Sequence, residues 1–161
     1  MDAKTKLEWV PRAKLRPFPH NPRTIGDVEF AHLKRGIQEF GLVDPLIVNR
    51  DGTVIGGHQR LKAAEDLKID PVPVVYIDVT DPQAAALNVL LNNPNAQGTW
   101  DFPVLVDLLS ELDATGFDCG LVGFEPGDLE KMLTSETPNL AQHEPKAVTC
   151  PECGHEFYPK A

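Results

Sequence analysis

The residues with the clearest chemical potential lie in IGGHQRLKAA, residues 55–64, where Gly56, Gly57, His58, Gln59 and Arg60 are consecutive. A short apolar run, Thr53 to Ile55, enters the glycines. After them Leu61, Ala64 and Leu67 fall on one helical face. A strand that enters Gly-Gly and leaves as a helix presents free backbone N–H groups at the helix start. Those donors and the helix dipole favour an anion. Two glycines remove the Cβ atoms that would hold a phosphate at a distance. Arg60 adds a planar fork for phosphate oxygens, and His58 a second side-chain donor. The chemistry of this stretch is that of a phosphate cradle. The same residues also suit a tight packing turn with Arg60 in solvent, and spacing alone leaves both open.

Other residues carry weaker signals. PHNPR, residues 19–23, places Asn21 and Arg23 in a segment that two prolines hold extended or turned. Glu39 and Asp44 are the carboxylates that can serve as a general base for phosphoryl transfer, or are ordinary helix-end and loop charges. The C-terminal CPECGHEF resembles one knuckle of a zinc ribbon, with Cys150 and Cys153 spaced C-x-x-C and Gly154 permitting the turn. A structural zinc needs four ligands, so His155, His143, Cys119 or a second chain would complete it. The alternatives are a tail with free thiols, or redox use of the pair. His20 and His32 are single histidines, read as surface or capping residues. Asp101 is placed to cap a helix, with the Trp100 indole in the core.

These side chains need elements to position them. LEWV reads as a strand, stopped by Pro11 and then Pro17. From Asp27 to Phe40, Val28, Ala31, Leu33, Ile37 and Phe40 form a helical stripe that Gly41 closes. PLIVNRDGTVIGG has two β-rich runs about Asp51-Gly52, a hairpin pattern. Residues 72–79 form a buried strand by composition. A helix capped by Thr80 or Asp81, with Pro82 near its first position, runs to about Asn93. After the loop NNPNAQGTWD, a helix from Phe102 to Leu112 carries Val104, Leu105, Leu108 and Leu109. GFDCGLVGF is a connector anchored by Phe117, Leu121 and Phe124, and a short helix follows from Asp128 to Leu133. The alternation of strands and helices indicates an α/β (α+β) domain, a small mixed sheet with flanking helices. Four segments are expected: a domain over 1–95, its helical extension over 96–133, a linker over 134–148 and a cysteine-bearing tail over 149–161.

Composition narrows the function classes. The chain has 161 residues and a net charge of −9. Residues 1–35 hold eight Lys/Arg against four Asp/Glu, so the remainder is strongly acidic. An acidic body does not attract a duplex by itself. The basic N-terminal part either meets phosphates or is a solvated face. No apolar run is long enough to span a membrane. MDAKTKLEWV lacks a secretory pattern, so the expected location is cytoplasmic.

The order NPR, EFGLVDPLIV, VIGGHQRLKAA and VPVVYID, covering about residues 7–95, resembles the ParB N-terminal domain and the ParB/sulfiredoxin superfamily. Beyond it, LNNPNAQGTWD and GFDCGLVGF look like short ParB-like proteins of phages and mobile elements, often found beside DNA methyltransferases. The resemblance implies a compact ParB/sulfiredoxin-like fold that binds a nucleoside triphosphate with magnesium. Gly56 to Arg60 would form the cradle, with Arg23 approaching the same phosphates. Ala63 and Ala64 would let the helix pack closely. Asn88, Asn92 and Asn93 lie where the family keeps its metal ligand, although the Glu-Asn-Leu-Gln-Arg pattern is absent. His58 stands where sulfiredoxin has its cysteine, which argues against sulfinic acid repair. Asp44 stands where partition proteins have glutamine. The later helices show no basic recognition helix, so the chain is expected to lack the helix-turn-helix that follows in partition proteins. The implied role is nucleotide binding in the DNA metabolism or modification of a mobile element, with phosphoryl transfer or nucleotide hydrolysis as the chemistry. Alternatives are a DNA-binding or nuclease-like accessory protein, or a protein-interaction module. Implied partners are a nucleotide, DNA, a methyltransferase or a second copy of the chain.

Overall fold

The computed structural model describes residues 6–124, 127–128, 131–132, 148–149 and 156–157. Strands β1 (Leu7–Val10), β2 (Arg16–Pro17), β3 (Leu46–Asn49), β4 (Thr53–Gly56) and β5 (Val72–Ile77) form one sheet, ordered β1-β5-β3-β4-β2. The β1–β5 and β3–β4 pairs are antiparallel, and the β3–β5 and β2–β4 pairs are parallel. The expected mixed sheet is therefore present, and the Asp51-Gly52 turn does close a hairpin. Asp51 sets that turn by accepting from the Thr53 N–H at 3.0 Å and the Thr53 hydroxyl at 2.8 Å. Both bonds favour the ionised carboxyl and hold it below the usual range. Pro17 does not stop a strand as expected. It sits in β2 at the sheet edge, where a missing N–H is tolerated.

Alternation builds the core. Leu46, Val48, Val54, Val72 and Val74 are buried together with Val10, Leu15 and Ala64. Helix α2 (His58–Asp66) brings Ala64 into this cluster and carries the chain from β4 to β5. Helix α3 (Asp81–Leu90) packs on β4. It starts at Thr80, whose N–H donates to Gln83 Oε1 at 3.0 Å. It ends at Leu90, earlier than expected, so Asn92 and Asn93 lie in the following turn. Strand β5 likewise ends at Ile77, because Asn49 holds the next segment through both its amide bonds to Val79, at 3.0 and 3.2 Å.

Helix α1 (Asp27–Phe40) has the expected bounds, but only Ile37 of its stripe is fully buried. Val28 and Phe40 are exposed. Helix α4 (Phe102–Ala114) begins at Asp101, which accepts from the Val104 N–H at 3.4 Å as expected for an N-cap. Leu105 and Leu109 of α4 bury against Met132, with Phe124 and Cys119 beside them. The 119–122 turn docks on α1 through the Arg35–Asp118 ion pair, and the Phe117 ring stacks on Phe40 at 6.3 Å. Trp100 corrects an expectation. Its side chain is 63% exposed, outside the core, because α4 is anchored through Leu105 and Leu109 instead. No described helix is long and apolar enough to cross a membrane. Strands β6 (Val148–Thr149) and β7 (Glu156–Phe157) form a separate antiparallel pair.

Candidate anion-binding cleft

The turn between β4 and α2 opens into a cleft of about 720 Å³. Its walls include Asn21, Arg23, Gly56, Gly57, His58, Gln59, Arg60 and Asn92. The structure thus gathers every residue of the expected cradle, together with both residues taken from PHNPR. Helix α2 starts at Gly57 without a side-chain cap, and its first backbone bond is Leu61 N–H to the Gly57 carbonyl. The first-turn N–H groups are left without helical partners. Gly57 has φ +92°, a left-handed backbone that glycine adopts freely. A Cβ there would lie 2.6 Å from Leu46 Cδ2 and 3.1 Å from Arg60 Nη2. The missing side chain therefore makes room for the Arg60 guanidinium.

Two arginines reach this space from separate segments. Arg60 is mostly buried, with its side chain 22% exposed, and pairs with Asp44. Burial, and next the charge of nearby Arg23, lower its pKa. The guanidinium stays protonated all the same. Arg23 Nη1 donates to Asn92 Oδ1 at 2.6 Å, while Gln59 Nε2 donates to the Arg23 carbonyl at 3.4 Å. Asn21 closes the NPR turn through its bonds to the Arg23 backbone. Two cations held close enough to repel one another form a site that an anion relieves.

His58 has a different place from the one expected. Its Nε2 accepts from the Phe18 N–H at 3.1 Å. That bond ties Phe18, at the head of the 18–23 segment, to the start of α2. Burial lowers its pKa and keeps it neutral, against a smaller opposing effect from Val54. Asn88 is 1% exposed, donates to the Ile55 carbonyl at 2.8 Å, and keeps a buried Oδ1 without a partner. Asn92 Nδ2 in turn donates to the Asn88 carbonyl at 2.8 Å.

The remaining candidates separate. Asp44 lines the cleft. Glu39 is on the solvent face of α1 and lines neither the cleft nor the smaller pocket of about 380 Å³ beside it. Asn93 accepts from the Asn95 N–H at 3.0 Å, capping the 94–96 turn, and is not on the cleft wall. Cys150, Cys153, His155 and His143 lie outside the described residues. Cys119 donates weakly to the Leu109 carbonyl within the α4 cluster, at 3.7 Å. Glu29 was not legible as a site residue. It lines the cleft because the NPR turn leads directly into the first turn of α1.

A sequence profile of the ParB N-terminal domain matches residues 1–93. The chain belongs to the ParB N-terminal domain family. A second profile, the ParB-methyltransferase HTH domain, matches residues 103–152. That match corrects the expectation that no helix-turn-helix segment follows. The expectation rested on the shortness of the chain and on missing positive charge, and the matched segment does hold ten Asp/Glu and two Lys/Arg. The ParB-like nuclease domain-containing protein YnaK of Escherichia coli is 39% identical over 84 residues, which are 52% of this chain and 97% of YnaK. Stage 0 sporulation protein J of Bacillus subtilis is 27% identical over 152 residues, 91% of this chain and 50% of that protein. The chain therefore spans only half of that relative. The fold matches chromosome-partitioning ParB from Caulobacter crescentus, solved with CTP-γ-S, at a TM-score of 0.68 and 16% identity. The match covers 80% of this chain and 77% of that structure.

Proposed function

We propose that this ParB-family domain binds a nucleoside triphosphate through its phosphates and serves DNA metabolism. The observation that carries the reading is the convergence of Arg23 and Arg60 on the uncapped start of α2. In this reading Gly57 gives phosphate oxygens access to the N–H groups of α2. Arg60 and Arg23 clamp the phosphates from two sides. Asn92 and Gln59 fix Arg23, and His58 positions the loop that carries it. The Caulobacter protein, solved with a cytidine nucleotide analogue, makes CTP the first ligand to try. Titrating CTP, ATP and GTP in turn should give saturable binding of one, lost in Arg60→Ala. Retained affinity in that variant would defeat the reading.

We infer that magnesium would accompany the phosphates, since it takes oxygen ligands and substrate phosphates. Asn88 has its orphaned buried Oδ1, and Asn92 and Glu29 lie on the cleft wall. Glu29 would hold the ion, with Asn88 behind it, while Asn92 keeps its Oδ1 on Arg23. When bound, it would supply charge neutralisation for the phosphates. Phosphoryl transfer or hydrolysis needs a base, and Asp44 is the carboxylate left for it once Glu39 is set aside. The 103–152 segment would bring DNA or a methyltransferase of a phage or mobile element to this cleft, in a chain read as cytoplasmic, with homodimerisation as the assembly.

A second reading concerns the tail. The β6–β7 pair brings residues 149 and 156 into register across the CPECGH stretch. That supports a zinc knuckle on Cys150 and Cys153, with the remaining ligands drawn from His155, His143 or a second copy. Metal analysis of purified protein should find zinc that is absent from Cys150→Ser. No zinc in the parent protein would remove this reading.

A further inference from the structure

We propose that Asp44 is an internal competitor for Arg60 that makes the cleft discriminate anions by their charge. The inference rests on the reading of the cleft as an anion site. The cleft wall carries Arg23 and Arg60 but also Glu29 and Asp44, so its arginine and carboxylate charges cancel. Of the two carboxylates, Asp44 is the one paired with a clamp residue.

The pair is asymmetric. Arg60 is fixed on α2, with its side chain 22% exposed, whereas Asp44 is 69% exposed on the loop between α1 and β3. An exposed carboxylate holds its partner weakly, so an arriving anion can take its place. The displaced group stays nearby, because Asp44 also lines the smaller pocket on the other side of Arg60. From there it repels whatever Arg60 binds. That repulsion grows with the charge of the ligand and is screened by salt. Asp44 therefore lowers affinity most for the most highly charged anions, and leaves tight binding to ligands that bring a cation or further contacts.

The test compares the full chain with Asp44→Asn, titrated calorimetrically with inorganic phosphate, pyrophosphate and tripolyphosphate. Asparagine keeps the shape and removes the charge, and thermal unfolding checks that the variant folds as the parent does. The expected result is a gain of about threefold for phosphate, rising beyond about tenfold for tripolyphosphate and shrinking in high salt. Asp44→Glu should retain the parent's order of affinities. An equal gain for all three anions, or none, would overturn the role of Asp44 while leaving the cleft's own reading intact. Failure of both proteins to bind any of the three would overturn both.

Discussion

Gly57→Ala is the sharpest perturbation of the site that leaves its charges alone. The backbone at this position has φ +92° and ψ 24°. A residue with a Cβ pays about 1–2 kcal/mol for that left-handed conformation. The new methyl would also lie 2.6 Å from Cδ2 of Leu46, a residue 1% exposed in the centre of the sheet core. Overpacking of that kind costs about 1–3 kcal/mol, since neighbouring side chains hold Leu46 in place. The expected destabilisation is about 2–5 kcal/mol, which at a slope of about 2 kcal/mol/M reads as a fall of about 1–2.5 M in the urea midpoint. Gly56→Ala is the control. Its Cβ would meet Leu91 Cδ1 at 2.9 Å, the far end of a side chain that is 36% exposed and able to move. No positive φ applies there, so a loss of about 1 kcal/mol or less is expected. Equal losses at the two glycines, or no loss at Gly57, would refute the geometric argument for the turn.

His58→Ala should cost about 1–3 kcal/mol in chemical denaturation, because the part-buried Phe18 N–H loses its partner. His58 also gives a pH signature. Its folded pKa lies below the ordinary 6.5, so below that pH the unfolded chain binds the extra proton and stability falls. The parent protein should lose stability as pH drops from about 6.5, with a smaller slope in His58→Ala, and identical slopes would exclude His58 as the cause. Asn88→Asp should destabilise by about 3–5 kcal/mol at neutral pH, since it places a carboxylate against the buried Ile55 carbonyl, and acid should relieve part of the loss. Trp100→Ser should alter stability by less than about 0.5 kcal/mol, and a larger loss in thermal melts would restore the indole to the core.

Much of the frame was legible because local signals and tertiary demands agreed. Helix α1 has the length its apolar spacing and Gly41 set, and Asp51-Gly52 makes the hairpin its residues favour. The cradle could be read because glycines, a helix start and arginine are contiguous. What the sequence hid was partnership between distant segments. Nothing in the spacing tells that His58 takes the Phe18 N–H, or that Asn92 takes Arg23 across 69 positions. Trp100 misled because a large aromatic was assumed to go inside, when Leu105 and Leu109 already anchor its helix. Glu39 and Asp44 look alike in sequence, and only the direction of the α1 face separates them. The helix-turn-helix match was hidden for a physical reason, since its segment is acidic and offers no basic recognition helix.

The most direct measurement is a backbone amide NMR titration of the full chain with CTP and magnesium. Saturable shifts should centre on the amides of Gly57, His58, Gln59 and Arg60, with weaker ones at Asn21 and Arg23. Each is a group that the phosphates would touch in the cleft. Shifts confined to other parts of the chain, or none with CTP, ATP or GTP at millimolar concentration, would contradict a phosphate cradle at the start of α2.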